Sequence, residues 1–101
     1  MARLISNPAL WQLHMSEGRA EAIGTWAKAN GLTPRDVSVD HDIVIDGPDD
    51  TRVIRYHAYL RNERGSKYSV DGRDLAVEER VVPLVVEPPE DWPKYAVPDS
   101  V

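Results

Sequence analysis

Arg55, His57, Tyr59 and Arg61 occupy every second position of one run, and a β-strand sends alternate side chains to the same face. The four therefore predict a stripe with steps of roughly 6.6 to 6.8 Å. Two guanidinium forks, an imidazole and an aromatic plane suit a small phosphate- or nucleobase-bearing ligand. Arg64 and Lys67 in the following segment extend that basic surface. Strand-face readers of single-stranded nucleic acid use similar mixtures, but with more exposed aromatics and a basic surround.

Catalytic constellations are sparser. The chain has no cysteine, which removes thiolate chemistry, disulfides and Cys-ligated zinc. Asp40-His41-Asp42 has metal-compatible residue types, yet on a strand His41 points away from both neighbouring carboxylates, so the triplet does not chelate as a unit. Glu78 and Glu79 are adjacent and face opposite ways, which disfavours shared acid and base work. No Gly-rich loop precedes a helix in the manner needed to cradle a phosphate. The expectation is a non-enzymatic protein with no metal and no cofactor.

These side chains need elements to hold them, and the hydrophobic period changes along the chain. Residues 16–31 predict a helix: Ser16 is a suitable N-cap, Glu17 and Lys28 complement the dipole, and Asn30-Gly31 supplies a left-handed stop. Met15 and Ala20 are placed for a hydrophobic staple. Ala22, Ile23, Trp26 and Ala27 share one face. Upstream, Asn7-Pro8 opens a short helix, or Trp11, Leu13 and Met15 alternate in an extended arm; the sequence fits both.

Thr33-Pro34 predicts a single helical turn ending near Asp36. Val37, Val39, Ile43 and Ile45 then alternate with polar residues, and a turn-rich segment over 46–50 reverses the chain. Ile54, Tyr56, Ala58 and Leu60 form the inward face of the next strand. Residues 62–74 read as a long hairpin connection with room for an extra short strand from Lys67 to Val70. The final strand, 75–86, shifts phase at Glu78-Glu79, which predicts a bulge, and Pro83, which has no N–H, predicts a sheet edge or an irregularity at that point. The fold class is thus α+β: one amphipathic helix packed on a three- to four-stranded antiparallel sheet. Residues 1–15 read as an N-terminal extension, 16–87 as the single domain, and 88–101 as a Pro-rich tail.

The 101 residues carry a net charge of −5, which disfavours duplex DNA as a partner. No apolar run approaches the roughly 20 residues needed to span a bilayer, and the expected location is the cytoplasm. Charge is segregated: residues 35–51 sum to −5, 52–73 to +4 and 74–101 to −5. A basic strand between acidic ones predicts cross-strand pairs such as Arg55 with Asp42 or Glu79.

The segments WAKANGLTPRDV (26–37), RYHAYLRNERG (55–65) and EERVVPLVVEPPEDW (78–92) resemble small uncharacterised accessory proteins of actinobacterial phages and integrated elements. The resemblance implies a compact protein that interferes with a host factor or serves an assembly, and it carries over no catalytic residue. The leading expectation is a protein-binding accessory protein whose partner is a host or phage protein, and which forms a homodimer or small oligomer. Val81, Val85, Trp92 and Tyr95 are its candidate contact residues, because an unpaired strand edge beside an aromatic arm is a template for pairing. Trp92 has a competing reading, in which it folds back over its own domain. The alternatives are a small-anion or nucleotide binder using Arg55, His57, Tyr59 and Arg61, and a virion component.

Overall fold

Asn7 caps a helix. In the computed structural model, which describes residues 2–48, 50–69, 72 and 75–96, the Asn7 side chain accepts the Leu10 N–H at 2.8 Å and Pro8 opens α1, Pro8–Ser16. The helical reading of this segment therefore holds, and the extended arm does not form. Gly18, at φ 74°, takes the left-handed conformation that glycine adopts without a Cβ penalty and separates α1 from α2, Ala20–Ala29. The expected single helix from Ser16 is corrected accordingly. Ser16 ends α1, its hydroxyl donates to the Leu13 carbonyl at 3.0 Å instead of capping, and Arg19 precedes α2 without a side-chain cap. Met15 is exposed, so no staple forms.

The predicted stop is present in full. Gly31 lies at φ 86°, its N–H donates to the Lys28 carbonyl, and the Leu32 N–H reaches back to Ala27, each at 3.0 Å. This double closure satisfies the last carbonyls of α2 and turns Leu32 into the core. Ile23, Trp26 and Ala27 are buried as expected, whereas Ala22 is exposed. Pro34–Asp36 forms the predicted turn of 3-10 helix.

The sheet is antiparallel throughout, in the order β4-β3-β2-β1-β5. Its strands are β1 Arg3–Ser6, β2 Ile43–Asp46, β3 Val53–Tyr59, β4 Val77–Pro83 and the two-residue β5 Tyr95–Ala96. The fold is α+β, with two helices rather than one. β2, β3 and β4 form the expected meander, and Pro83 lies on an edge strand. The flanks differ from expectation. Of the expected extension, residues 3–15 are not an appendage: β1 lies inside the sheet between β2 and β5, and Leu4, Ile5 and Ser6 are buried. The tail likewise returns to add β5 beside β1.

The bulge predicted at Glu78-Glu79 is absent, since the register runs unbroken from Val53↔Pro83 to Tyr59↔Val77. The irregularity lies in β1, between Leu4 and Ser6. A phase change in hydrophobicity misleads on β4 because that strand is exposed on both faces over most of its length. Val37 joins β3 through a bridge to Ala58, and the chain then departs and re-enters as β2 at Ile43. Of the short strand expected from Lys67 to Val70, Lys67 and Ser69 make isolated bridges to Arg61 and Leu75, and position 70 lies outside the described residues.

The core gathers Ile23, Trp26 and Ala27 of α2 against Ile43, Ile45, Ile54, Tyr56 and Ala58 of the sheet. Ile45 and Ile54 are cross-strand partners and fully buried. Each such aliphatic side chain contributes about 1.5–3 kcal/mol relative to exposure. Trp92 closes one end, edge-on to Trp26 with ring centroids 6.0 Å apart. The chain leading to it is held by Asn30: its carbonyl oxygen accepts both the Val85 and Val86 N–H groups at 2.8 Å, and its amide donates to the Val86 carbonyl. The Trp26 indole N–H also donates to that carbonyl, at 2.8 Å.

Candidate functional site

Because Ile54, Tyr56 and Ala58 turn into the core, Arg55, His57 and Tyr59 project from the other face of β3. Arg55 is exposed, while His57 and Tyr59 are half-buried. Arg61 follows just beyond the strand, and the predicted stripe is formed. Its groups are already engaged within the chain.

Arg55 Nε donates to Asp46 Oδ2 at 3.3 Å, and its Nη1 lies 3.9 Å from Glu79 Oε1. The expected pairing with Glu79 occurs, and Asp46 takes the position expected of Asp42. The Asp46 carboxyl is held below its ordinary range, first by the Gly47 backbone N–H and then by Arg55. Arg61 is bound more fully: Nη2 and Nε donate to Asp36 Oδ1 at 2.5 and 3.0 Å, and Nη1 donates to the Gly65 carbonyl at 2.7 Å. These hydrogen bonds hold the Asp36 carboxyl below the usual carboxylate range. Lys67 Nζ stands 4.3 Å from the centre of the Tyr59 ring, a cation–π contact.

His57 stacks on His41 with ring centroids 4.4 Å apart and planes at 24°. His41 Nδ1 lies 2.8 Å from the hydroxyl of Ser38, a residue only 1% exposed. The Ser38 N–H donates to the His57 carbonyl at 2.9 Å, which closes the cluster. His57 Nδ1 is shielded from solvent and has no hydrogen-bond partner among the described residues. Alternation along β3 signals that His57 faces outward; that His41 covers it depends on the loop between Val37 and Ile43, which sequence periodicity does not describe. Among the described residues, no three His, Cys, Asp or Glu side chains gather as a metal site.

An incoming anion therefore meets a stripe whose two guanidinium groups are balanced by Asp36, Asp46 and Glu79. Exposed ion pairs are worth about 0–1 kcal/mol each, so displacement is possible, but the carboxylates remain nearby and repel the same ligand. A shallow depression of about 600 Å³ lies at the end of the stripe, lined by Arg61, Asn62, Glu63, Arg64 and Tyr68.

The four candidate contact residues separate into two pairs. Val81 and Val85 are 47% and 73% exposed. Trp92 is 8% exposed and belongs to the core, so the fold-back reading of Trp92 is the one that holds. Tyr95 is half-buried in β5 opposite Leu4, its ring 6.4 Å from that of His14. The aromatic arm is thus part of the fold: a short Pro-rich segment with two large aromatics gains more by completing its own core than by remaining in water.

What the alternation pattern did not reveal is the backbone chemistry of the β4 edge. Flanking the β3–β4 ladder, the Leu60 N–H donates to the Ala76 carbonyl and the Leu84 N–H to the Arg52 carbonyl, each at 2.9 Å. With the unbroken register, the even-numbered residues of β4 aim their peptide groups at β3, and Val77, Glu79, Val81 and Pro83 aim theirs outward. Pro83 has no N–H, so it costs the inner ladder nothing. β4 ends the sheet, and its outward groups have no strand beside them among the described residues. Compared with known protein families, curated proteins and solved structures, the chain matches none.

Proposed function

We propose that the chain is a non-enzymatic protein-binding module that captures an extended segment of another polypeptide by strand addition at the outer edge of β4. The observation that carries this reading is the unpaired row of Val77, Glu79 and Val81 N–H groups, on a seven-residue strand with Val81 exposed beside it. Main-chain hydrogen bonds supply affinity in such complexes, and alternate side chains supply selectivity. An accessory role toward a host or phage protein, as the sequence resemblance implies, is compatible with this chemistry.

Panning a displayed library of random linear peptides against the chain tests the proposal. Selected peptides are expected to protect the amides of Val77, Glu79 and Val81 from hydrogen exchange and to lose binding when Val81→Pro removes one outward donor. Peptides that bind with those three amides still exchanging freely would overturn it.

The second reading is a small-anion binder, favoured by the depression beside Arg61, Arg64 and Tyr68. Titration with mono-, di- and cyclic nucleotides is expected to give binding that Arg61→Ala weakens about ten-fold or more, through loss of a charge-assisted hydrogen bond. Binding indifferent to Arg55→Ala and Arg61→Ala together removes this alternative.

A further inference from the structure

We infer that the segment seated on the β4 edge is β4 of a second copy, paired antiparallel about a two-fold axis with Glu79 opposite Glu79. This rests on the strand-addition reading and names its occupant. Only outward-aimed residues can exchange hydrogen bonds, so residues of equal parity must oppose one another. The possible registers are therefore centred on a single residue, and the sequence of β4, VEERVVP, ranks them.

Centred on Glu78, the pairing sets Glu78 against itself and Val77 against Glu79. Centred on Arg80, it sets Arg80 against itself and Glu79 against Val81. Centred on Val81, it brings Pro83 opposite Glu79 and leaves a carbonyl of each copy without a donor. Centred on Glu79, all three outward N–H groups of each copy meet a carbonyl. Glu78 then faces Arg80 of the second copy at two symmetric places, and Val77 faces Val81 at two more. One pair further out Leu75, which is exposed, would face Pro83, whose missing N–H leaves the Leu75 carbonyl unpaired, so the ladder ends at the Val77 and Val81 pairs.

The residual conflict is Glu79 against Glu79. In the row itself His57 stands beside each Glu79, and Arg55 of the same chain reaches that carboxylate diagonally on the same face, its Nη1 3.9 Å away, so each of the two like charges has a guanidinium of its own chain beside it. Glu78 and Arg80 already pair within one chain at 2.7 Å. Opposite charges on neighbouring positions of one face let both groups exchange to the second copy without rearrangement. Charge self-complementarity of this kind favours a second copy over an unrelated strand.

The chain holds no cysteine, which makes single-cysteine variants clean reporters of register. Sedimentation of the full chain is expected to give a monomer–dimer equilibrium. Under mild oxidation Glu79→Cys is expected to form a disulfide-linked dimer, whereas Glu78→Cys and Arg80→Cys alone do not and an equimolar mixture of those two does. Arg80→Glu is expected to weaken the dimer on the order of ten-fold, and combining it with Glu78→Arg restores the wild-type constant.

A chain that stays monomeric at millimolar concentration overturns the inference, and Glu79, Arg80 and Pro83 are then edge protection. The peptide panning above is independent of that outcome, since a monomer that still captures linear peptides at Val77, Glu79 and Val81 retains the strand-addition reading. Efficient cross-linking of Arg80→Cys alone, with none for Glu79→Cys, overturns the register and with it the charge argument. Circular dichroism of each variant separates loss of pairing from loss of folding.

Discussion

Asn30 has more structural responsibility than its place at a helix end suggests. Its side chain makes hydrogen bonds to Val85 and Val86 across more than fifty residues of sequence, and it is buried. Asn30→Ala leaves backbone groups of that strap without partners, each worth about 1–3 kcal/mol when buried. The variant is expected to lose roughly 2–4 kcal/mol, read as a lowered midpoint in urea denaturation at unchanged slope. At Asp36 the prediction concerns pH. The Arg61 hydrogen bonds place its folded pKa below the unfolded value, so the pair stabilises the fold above about pH 4 and that contribution disappears as pH falls through the folded value. Asp36→Asn is expected to flatten the decline of stability below about pH 4. Its size is modest, because the pair is solvent-screened.

At the level of elements, β4 and β1 differ in what each can lose. The Val82 N–H is aimed at β3 and the Val81 N–H away from it, so proline at these adjacent positions has opposite consequences. Val82→Pro is expected to cost about 1–3 kcal/mol by removing a ladder donor and leaving its acceptor on β3 without a partner. Val81→Pro is expected to leave the thermal midpoint within a few degrees while abolishing association at the edge. β1 tolerates no such trimming. Flanked on both sides by strands and carrying buried Leu4 and Ile5, it is required for the sheet to close over α1. Removing residues 1–6 is expected to yield a chain with collapsed amide-proton dispersion rather than a shortened stable domain.

For the whole molecule, β1 near one end of the described residues and the Trp92–β5 segment near the other belong to one sheet and core. A domain of this size has about 5–15 kcal/mol of stability in total, and truncating a buried tryptophan to alanine costs about 3–5 kcal/mol. Trp92→Ala is therefore expected to lower the thermal midpoint by about 15 °C or more, since 1 kcal/mol corresponds to about 4–8 °C at this length. Deleting residues 88–101 is a test of folding rather than of partner capture, because it removes Trp92 from the core and β5 from the sheet. Among the described residues no helix is long and apolar enough to cross a membrane.

Local chemistry alone settled part of this protein: the Asn30-Gly31 stop, the turn at Pro34 and the inward face of β3 follow from dihedral preference and side-chain alternation, whereas the choice between helix and extended arm after Asn7-Pro8, and between edge and irregularity at Pro83, was made by the assembled fold. The outward stripe of Arg55, His57 and Tyr59 was legible from the same alternation. Tertiary structure decided what alternation does not encode. Gly18 divides one expected helix into two because a left-handed residue redirects the chain, and its effect depends on where both segments then pack. Residues 3–6 became an inner strand and Trp92 a core residue because burial is set by what returns through space, over separations that no local period measures. The same applies to the acidic groups that occupy Arg55 and Arg61. They are brought by neighbouring strands and a distant helical turn, so whether those arginines await a ligand was a question only the assembled fold could answer.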